Sequence, residues 1–448
     1  MDNNTGTVHE SQTSYQSSVT VKTSAVKRTK SITGLVIGLC WFCIFFEGYD
    51  LGIYGPVLPI LMKKWSLTAI EAGAIASYSL FGLLAGSIVV GAITDIIGRK
   101  KTLIFSLALF SIAMGISASA TTPEMFAFSR VIVGLGIGGI IPSVATLSIE
   151  YSPVHRRSFN FVVTNTGITF GVIAAVLTAL FFLDNLGWRI LFWIGIAPVL
   201  VIPFIIKFLP ESISFLLAKD RREEAAAIAN RFNLSLDTFE ESKRKNTSQE
   251  AEKLQAFKSL LSKKYIGIII IASMIYFLTF VMAYGLNTWL PKLMQQAGYP
   301  LTSSLVFMLV FNLTGVAGSL IGGKIADRIG SKWVLGVAYS LTAISIFLLS
   351  FKIESMFILY SLIGIAGIGV VATTGITIGL VSSYFSSENR ATATGFTIGI
   401  GRIGAATGPV LGGLLLTRNV PLAWSFYTFA IVAVLAVLAV VLIPKKSE

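Results

Sequence analysis

The chain has 448 residues, of which 54% are hydrophobic and only 13% are charged, and its mean hydropathy is +0.78. This composition excludes an ordinary soluble globular protein, in which about 25% of the residues are charged. The net charge of +13 could suggest a nucleic-acid partner. No groove-like pattern of basic and aromatic residues accompanies that charge, so we expect a lipid-embedded protein that binds no nucleic acid.

Twelve apolar segments occur along the chain, and each is close to the roughly 20 residues that a helix needs to cross a bilayer. A membrane β-barrel would instead show short alternating segments, whereas a helix in lipid satisfies its own backbone hydrogen bonds. The sequence therefore predicts an all-α integral membrane protein. The predicted spans are 31–58, 70–95, 102–121, 124–149, 159–183, 188–209, 265–290, 302–326, 332–351, 354–384, 391–417 and 422–444.

Polar segments set the predicted domain boundaries. Residues 1–30 are rich in Ser and Thr and lack an apolar core, which predicts a disordered cytoplasmic tail and not a cleaved signal peptide. Residues 209–264 are hydrophilic and are predicted to form an amphipathic helix followed by a flexible linker. This segment joins two predicted six-helix halves, 31–208 and 265–444, and residues 445–448 form a short cytoplasmic end.

Basic residues are distributed unevenly between the segments that separate the spans. If residue 1 is cytoplasmic, most of the 35 Lys and Arg residues lie on the cytoplasmic side. Such a bias follows the positive-inside rule. We therefore expect a multi-pass protein of the cell membrane with both termini in the cytoplasm. The basic residues on the opposite side are Lys63, Lys64, Arg189, Lys292, Lys352 and Arg418.

One short motif occurs once in each half. GAITDIIGRKK (91–101) and GGKIADRIGSK (322–332) share Gly-x-x-x-Asp-x-x-Gly followed by basic residues, each between the second and third predicted helix of its half. Such parallel repeats are typical of two-halved secondary transporters. We expect the glycines to let helix ends approach closely and the aspartate to accept hydrogen bonds from a neighbouring helix N-terminus. The predicted cytoplasmic gate comprises Gly91, Asp95, Gly98, Arg99, Asp327, Arg328 and Gly330.

Several further segments carry a family resemblance. RVIVGLGIGG in the fourth predicted helix, EYSPVHRR after it and PES after the sixth resemble the major facilitator superfamily, as do the paired motifs and the two sets of six spans. The resemblance covers residues 31–444 and implies two pseudo-symmetric halves. EGYD in the first helix, YGLNTWLPKLM in the seventh and ATGFTIGIGRIG in the eleventh resemble the aromatic acid:proton symporters of that superfamily. That family usually has Asp-Gly-x-Asp in its first helix, whereas here the first acid is Glu47.

Glu47 and Asp50 lie about half way along the first predicted helix, and their spacing of three residues puts them near one face. An ionised carboxylate at that depth costs at least about 2.5 kcal/mol, so such residues usually face a cavity and serve function. We predict that both take part in proton coupling or substrate binding. A structural hydrogen bond between helices is the alternative.

Arg402 lies near the middle of the eleventh predicted helix. A guanidinium keeps its charge and can bind a carboxylate through two parallel hydrogen bonds. We therefore predict that Arg402 binds the substrate carboxylate, with a permanent ion pair to Asp50 or Glu47 as the alternative. The seventh helix becomes polar near its outer end, where three residues are predicted to contact the substrate: Tyr284, Asn287 and Trp289.

The fourth predicted helix carries two further functional candidates. The resemblance implies an important arginine at Arg130, for which a structural role is the alternative. Glu150, at the other end of this helix, is predicted to form gate ion pairs together with Arg156 and Arg157 and the motif-bearing loop.

These observations favour a secondary transporter over an enzyme. No GxxxxGK[ST] loop, nucleophile–base pair or metal-binding spacing occurs. The predicted function is proton-coupled uptake of an aromatic carboxylate such as benzoate, by alternating access, in a monomeric unit with no cofactor and no obligate protein partner. Two alternatives stay open: transport of another organic anion or a sugar-like solute, and a non-transporting receptor or sensor on the same fold.

Overall fold

The structure is a computed structural model that describes residues 6–153, 156–232, 265–417 and 421–444, together with residues 234, 236, 239, 260 and 262. The described chain is helical, and twelve of its helices are long and apolar enough to cross a membrane. The predicted all-α membrane fold is confirmed. We number these twelve spans α1–α12.

The spans lie close to the predicted ones. The first half contains α1 (Gly6–Trp65), α2 (Ala69–Ile97), α3 (Arg99–Ser119), α4 (Pro123–Glu150), α5 (Arg157–Leu186) and α6 (Arg189–Phe208). The second half contains α7 (Ile266–Gln296), α8 (Leu301–Ile329), α9 (Ser331–Leu348), α10 (Met356–Tyr384), α11 (Ser387–Thr417) and α12 (Leu422–Leu442).

Prolines interrupt α6. Its two α-helical parts, Arg189–Ile194 and Ile202–Phe208, are joined through a 3-10 helix at Ala197–Val201. Pro198 and Pro203 lie at the starts of the second and third parts, and each lacks the N–H that would continue an α-helical ladder.

Helix α1 extends further back than its membrane-crossing part, which is Ile32–Trp65. It begins at Gly6, so residues 6–30, predicted as part of a disordered tail, are helical in the structure. No Gly or Pro occurs between Gly6 and Ile32 to end the helix. The rest of the predicted tail, residues 1–5, lies outside the described residues.

The segment between the halves begins with two short helices, Ile213–Ala218 and Arg222–Phe232. The second coincides with the predicted amphipathic helix. Most of the predicted flexible linker after it lies outside the described residues, as do the terminal residues 445–448.

Both copies of the repeated motif form the same turn. Gly98, between α2 and α3, has a φ of +102°, and Gly330, between α8 and α9, has a φ of +93°. A side chain would be strained in this region of φ, so the second glycine of each motif is needed for the backbone to reverse. The equivalent turns join equivalent helices in the two halves.

Helix packing repeats between the halves as well. In the first half α1 packs against α5 and α2 against α4; in the second half α7 packs against α11 and α8 against α10. The halves meet mainly through α2 with α11, α1 with α7, and α5 with α8. We call the side of the bundle on which α1 finishes the Trp65 end and the side of the motif turns the Gly98 end. The charge bias predicts that they face the outside and the cytoplasm, respectively.

Glycines set the closest of these helix contacts. A Cβ added to Gly134 would lie 1.9 Å from Ser79 O, and one added to Gly171 would lie 1.9 Å from Phe45 O. The run GLGIGG therefore serves close packing of α4 against α2 and α3, as expected of small residues between membrane helices.

Candidate functional site

A cavity of about 150 Å³ lies between the two halves. A cavity of this volume can hold one benzene-sized ring. We call it the central cavity, and helices from both halves form its wall. The polar residues of that wall are Asp50, Tyr54, Ser79, Arg130, Thr169, Tyr284, Asn287, Thr288, Asn312 and Thr374.

Asp50 and Arg130 form an ion pair in this wall. Arg130 Nη1 donates to Asp50 Oδ1 at 2.5 Å and Nη2 donates to Oδ2 at 2.9 Å. The Asp50 side chain is 0% exposed and the Arg130 side chain is 3% exposed. A buried pair of this kind is vulnerable to loss of one partner, which costs about 3–5 kcal/mol because the other charge is left uncompensated. The bidentate geometry is also the one in which a guanidinium binds a ligand carboxylate.

Arg402, predicted to bind the substrate carboxylate, is not among the residues that line the central cavity. Within the described part of the chain, it forms no ion pair with Asp50 or Glu47. Its charge interacts electrostatically with Glu47 and Tyr284. Position along a helix gives the height of a residue but not the direction of its side chain, and the long side chain of Arg130 reaches Asp50 from nearer the helix end.

Glu47 lies one turn before Asp50 and is 2% exposed. It does not line the central cavity. Electrostatic interactions link it to Arg402 and Asp50, while its Oε2 has no hydrogen-bond partner among the described residues. The two acids of α1 therefore have different surroundings: Asp50 is fully paired, whereas Glu47 has one unsatisfied oxygen.

The second half contributes neutral polar groups to the cavity wall. Asn312 Nδ2 donates to Asn287 Oδ1 at 3.2 Å and to Met308 O at 2.9 Å, and Asn287 Nδ2 donates to Ala283 O at 2.8 Å. Tyr284 also lines the cavity. Two of the three residues predicted on α7 are thus brought together where a ligand could contact them.

Trp289, the third predicted residue on α7, lies away from the central cavity. It is fully buried, and its Nε1 donates to Pro409 O on α11 at 2.7 Å. A separation of two residues along a helix is a rotation of about 200° around the helix axis, so Trp289 and Asn287 point to opposite sides of α7. Trp289 belongs to the contact between helices, and the central cavity lies on the other face.

Three close contacts between the halves lie on the Trp65 side of the central cavity. A Cβ added to Gly55 would lie 2.3 Å from Asn287 O, and one added to Gly73 would lie 2.5 Å from Pro409 O. Ser77 Oγ donates to Ala406 O at 2.6 Å. These approaches of α1 to α7 and of α2 to α11 close the cavity at the Trp65 end.

Comparison with known families agrees with this two-halved bundle. The family model described as Major Facilitator Superfamily matches residues 40–329 and 307–448. The chain belongs to this superfamily. It is a multi-pass membrane protein, as its twelve apolar helices indicate.

Three superfamily relatives show what the chain is similar to. It is 35% identical over 425 residues to the benzoate transport protein of Acinetobacter baylyi, covering 91% of this chain and 89% of the relative. It is 32% identical over 432 residues to the gentisate transporter of Corynebacterium glutamicum, covering 96% and 90%. It is 28% identical over 398 residues to the 4-hydroxybenzoate transporter of Acinetobacter baylyi, covering 88% and 86%.

Solved structures show the same superfamily fold. The partially occluded inward-open xylose transporter from E. coli matches with a TM-score of 0.74 at 17% identity, covering 93% of this chain and 99% of that chain. A bacterial homolog of the human lysosomal transporter Spinster, in an inward-facing conformation, matches with a TM-score of 0.72 at 15% identity, covering 92% and 97%. At these identities the likeness concerns the fold alone.

The first superfamily motif forms a network within its own half. Arg99 Nη2 donates to Asp95 Oδ1 at 2.7 Å. The N-terminus of α3 is bound by Glu211, whose Oε1 accepts from Lys100 N at 2.9 Å. Glu211 thus makes the contact that was expected of the motif residue Asp95. A carboxylate is favoured at a helix N-terminus because its negative charge interacts with the positive end of the helix dipole. Glu211 belongs to the PES segment, which was the available sequence signal for it.

Glu150, predicted to form ion pairs, accepts hydrogen bonds from the segment after α6 instead. Ser212 Oγ donates to its Oε1 at 2.9 Å and Ile213 N to its Oε2 at 3.1 Å. It also interacts electrostatically with Arg99. Glu150 thus joins α4 to the start of a short helix on the same side as the motif turn.

Gly91 and Gly323, the first glycines of the two superfamily motifs, differ from the expectation. A Cβ at either position would have no neighbouring atom within 4 Å among the described residues. Both glycines lie at the Gly98 end of the bundle. The predicted gate residues of the second half are exposed: Asp327, Arg328 and Gly330.

Proposed function

We propose that this protein is a proton-coupled symporter that takes up an aromatic monocarboxylate, such as benzoate or a hydroxybenzoate, by alternating access. The observation that carries the proposal is the buried Asp50–Arg130 pair in the wall of a ring-sized cavity. The relatives named for benzoate, gentisate and 4-hydroxybenzoate support the substrate class.

In the proposed mechanism the substrate carboxylate exchanges with Asp50 at Arg130. Arg130 holds Asp50 through its two Nη atoms, while its Nε has no hydrogen-bond partner among the described residues, so this edge of the guanidinium is available to an arriving anion. In the proposed exchange the anion first binds at this edge and then displaces Asp50 from the Nη atoms. This competition accounts for the selection of an anion over a neutral sugar, which would leave the cation and its partner together.

Proton coupling follows from the cost of buried charge. Once displaced, an ionised Asp50 would be a buried carboxylate without its partner, which is unfavourable by several kcal/mol. Uptake of a proton removes that charge, so one bound anion is accompanied by one proton. Glu47, with its unsatisfied oxygen one turn away, is the proposed second carrier between Asp50 and the Gly98 end.

Ring recognition is assigned to the neutral wall. Tyr284 offers a stacking surface, and Asn287 and Asn312 offer hydrogen-bonding groups for ring hydroxyls. The proposed orientation has both termini in the cytoplasm of a cell-membrane protein, with the Trp65 end outside. No cofactor or protein partner is proposed.

Uptake of labelled benzoate and 4-hydroxybenzoate into proteoliposomes tests the proposal. An inward proton gradient should drive accumulation, and a protonophore should abolish it. Equilibration that ignores the gradient would identify a uniporter, and failure of every aromatic acid would remove the substrate class.

Three substitutions separate binding from coupling. Arg130→Gln should lower substrate affinity at least about tenfold, the effect of losing roughly 1.4 kcal/mol, whereas Arg402→Gln should leave more of the affinity intact. Asp50→Asn should stop proton-driven accumulation while anion exchange continues. Unchanged affinity in Arg130→Gln, or intact accumulation in Asp50→Asn, would contradict the exchange mechanism.

A further inference from the structure

Three lysines surround an open depression at the Trp65 end of the bundle. Lys63 and Lys64 lie in the last turn of α1, and Lys292 lies near the end of α7. The depression between these two helices has a volume of about 810 Å³, and its other lining residues are neutral. We call the depression with these three lysines the lysine basin.

The charge of the lysine basin is not neutralised by nearby acids. No Asp or Glu lines it, and none of its lysines has a carboxylate within 4 Å in the part of the chain that the structure describes. Lys64 Nζ lies 5.3 Å from the centre of the Trp188 ring, a contact that keeps the charge. Three of the six basic residues predicted to lie outside therefore line the lysine basin. Two come from the first six-helix half and one from the second.

The basin is adjacent to the contact that closes the central cavity. Lys292 follows Asn287 by five residues on α7, which is a rise of about 7.5 Å. Asn287 lines the cavity, and its carbonyl is the atom closest to a Cβ placed at Gly55 on α1. If α1 and α7 separate at this point, the basin opens directly onto the cavity.

We propose that the lysine basin captures small carboxylate anions at the outer mouth before the central cavity opens to that side. The identity of the anion as an aromatic carboxylate rests on the proposed function. A cleft lined by one sign of charge raises the local concentration of oppositely charged solutes by about 10-fold to 1,000-fold. Because the lysines are exposed or half-buried, salt screens this attraction.

Transport kinetics test the proposal in the full chain. The variant K63Q/K64Q/K292Q should raise the KM for benzoate about tenfold at low ionic strength, with an unchanged maximal rate, because none of the three lysines lines the central cavity. The difference should disappear near 1 M salt, where the screening length is about 3 Å. Lys352→Gln is the matched control, since it changes a single exposed charge predicted on the same side but outside the basin.

An equal KM in the triple variant and the wild type at low salt would overturn the proposal. So would a rise in KM that Lys352→Gln reproduces, since the effect would then come from general surface charge. The basin could be occupied by a free carboxylate anion or by an anionic lipid headgroup. Proteoliposomes of phosphatidylcholine alone and with phosphatidylglycerol distinguish these two occupants. The KM effect should persist in both; its loss with phosphatidylglycerol would mean that lipid headgroups occupy the basin, which also overturns the proposal.

A second measurement does not depend on the proposed function. Gln295 lines the basin, and both native cysteines are fully buried, so Gln295→Cys provides a reporter thiol. The ratio of its reaction rates with anionic and cationic methanethiosulfonate reagents should fall about tenfold in the triple variant. A ratio that stays constant would refute the basin. A falling ratio in a protein that transports no aromatic acid would reject only the proposed function.

Discussion

The two ends of the interface between the halves differ in how closely the halves approach. At the Trp65 end, Gly55 and Gly73 lie against backbone carbonyls of the opposite half, with no space for a Cβ. At the Gly98 end, a Cβ at Gly91 or Gly323 would meet no atom of the described residues within 4 Å. The same residue type is thus packed on one side and unpacked on the other.

Under the proposed function, this difference belongs to one member of an alternating pair of conformations. Transporters with two repeated halves expose a central site to one side at a time by rocking the halves. The packed glycines serve the conformation described by the structure. Gly91 and Gly323 of the repeated motif have no neighbouring atom for a Cβ within 4 Å among the described residues, so we assign their close packing to the opposite conformation.

Substituting the two kinds of glycine should produce the largest effect. Gly55→Leu places a side chain against the Asn287 backbone, so the Trp65 end should fail to close and benzoate uptake should be lost. Gly91→Leu has room in this conformation and should change the free energy of unfolding by less than about 0.5 kcal/mol. Its uptake should nevertheless fall, because the opposite conformation requires close approach there.

The control for this pair is Gly267→Leu, which also introduces a side chain into open space, at the start of α7. It should retain both stability and uptake. Comparable losses of uptake in Gly267→Leu and Gly91→Leu would show that bulk alone is harmful, and would remove the assignment of Gly91 to the opposite conformation.

The buried ion pair between the two ends should give the next largest effect. Arg130→Gln leaves Asp50 buried without its partner and should lower the free energy of unfolding by about 3–5 kcal/mol. Asp50→Asn in the same chain should restore most of that loss. Thermal unfolding in detergent checks both variants, and a double variant as unstable as the single one would mean that Arg130 stabilises the fold through other contacts.

Removing one hydrogen bond at the Trp65 end should shift the conformational balance by a smaller amount. Trp289→Phe replaces the indole with a smaller aromatic ring and loses the bond to Pro409 O, which is worth about 1 kcal/mol. The population open at the Trp65 end should rise about fivefold. The labelling rate of a cysteine introduced on the Trp65 side of the cavity measures this change. An unaltered labelling rate would exclude Trp289 from the closing contact.

The smallest effect is expected at the Gly98 end. The Asp95 side chain is 72% exposed in its pair with Arg99, and exposed pairs are worth about 0.2–1 kcal/mol. Asp95→Asn should therefore change thermal stability little, and addition of salt should remove most of the difference. A loss as large as that of Arg130→Gln would mean that the described Gly98 end is held together far more strongly than its exposure indicates.

The sequence was sufficient for the fold because both signals that define it are local or repeated. Apolar length identifies spans without knowledge of their partners, and the motif around Gly98 recurs around Gly330 with the same backbone turn. The family resemblance had the same basis, since its segments lie at fixed places along these spans.

The site was predicted less completely because it depends on side-chain direction. Counting residues from helix ends placed Arg402 at the depth of Asp50, yet Arg130 is the partner in the structure. Trp289 could have been separated from Asn287 by the helical period alone. Gly91 could not have been interpreted in this way, because its surroundings depend on which conformation is populated.

The charged pair of the central cavity lies wholly in the first half, since α1 carries Asp50 and α4 carries Arg130. Every residue that the second half adds to the cavity lining described by the structure is uncharged. Under the proposed mechanism, the first half therefore carries proton coupling and the second half carries recognition of the substrate ring. Variation in the second half could broaden or exchange the acids accepted without rebuilding the proton pathway, which makes that half the place to begin engineering new substrates.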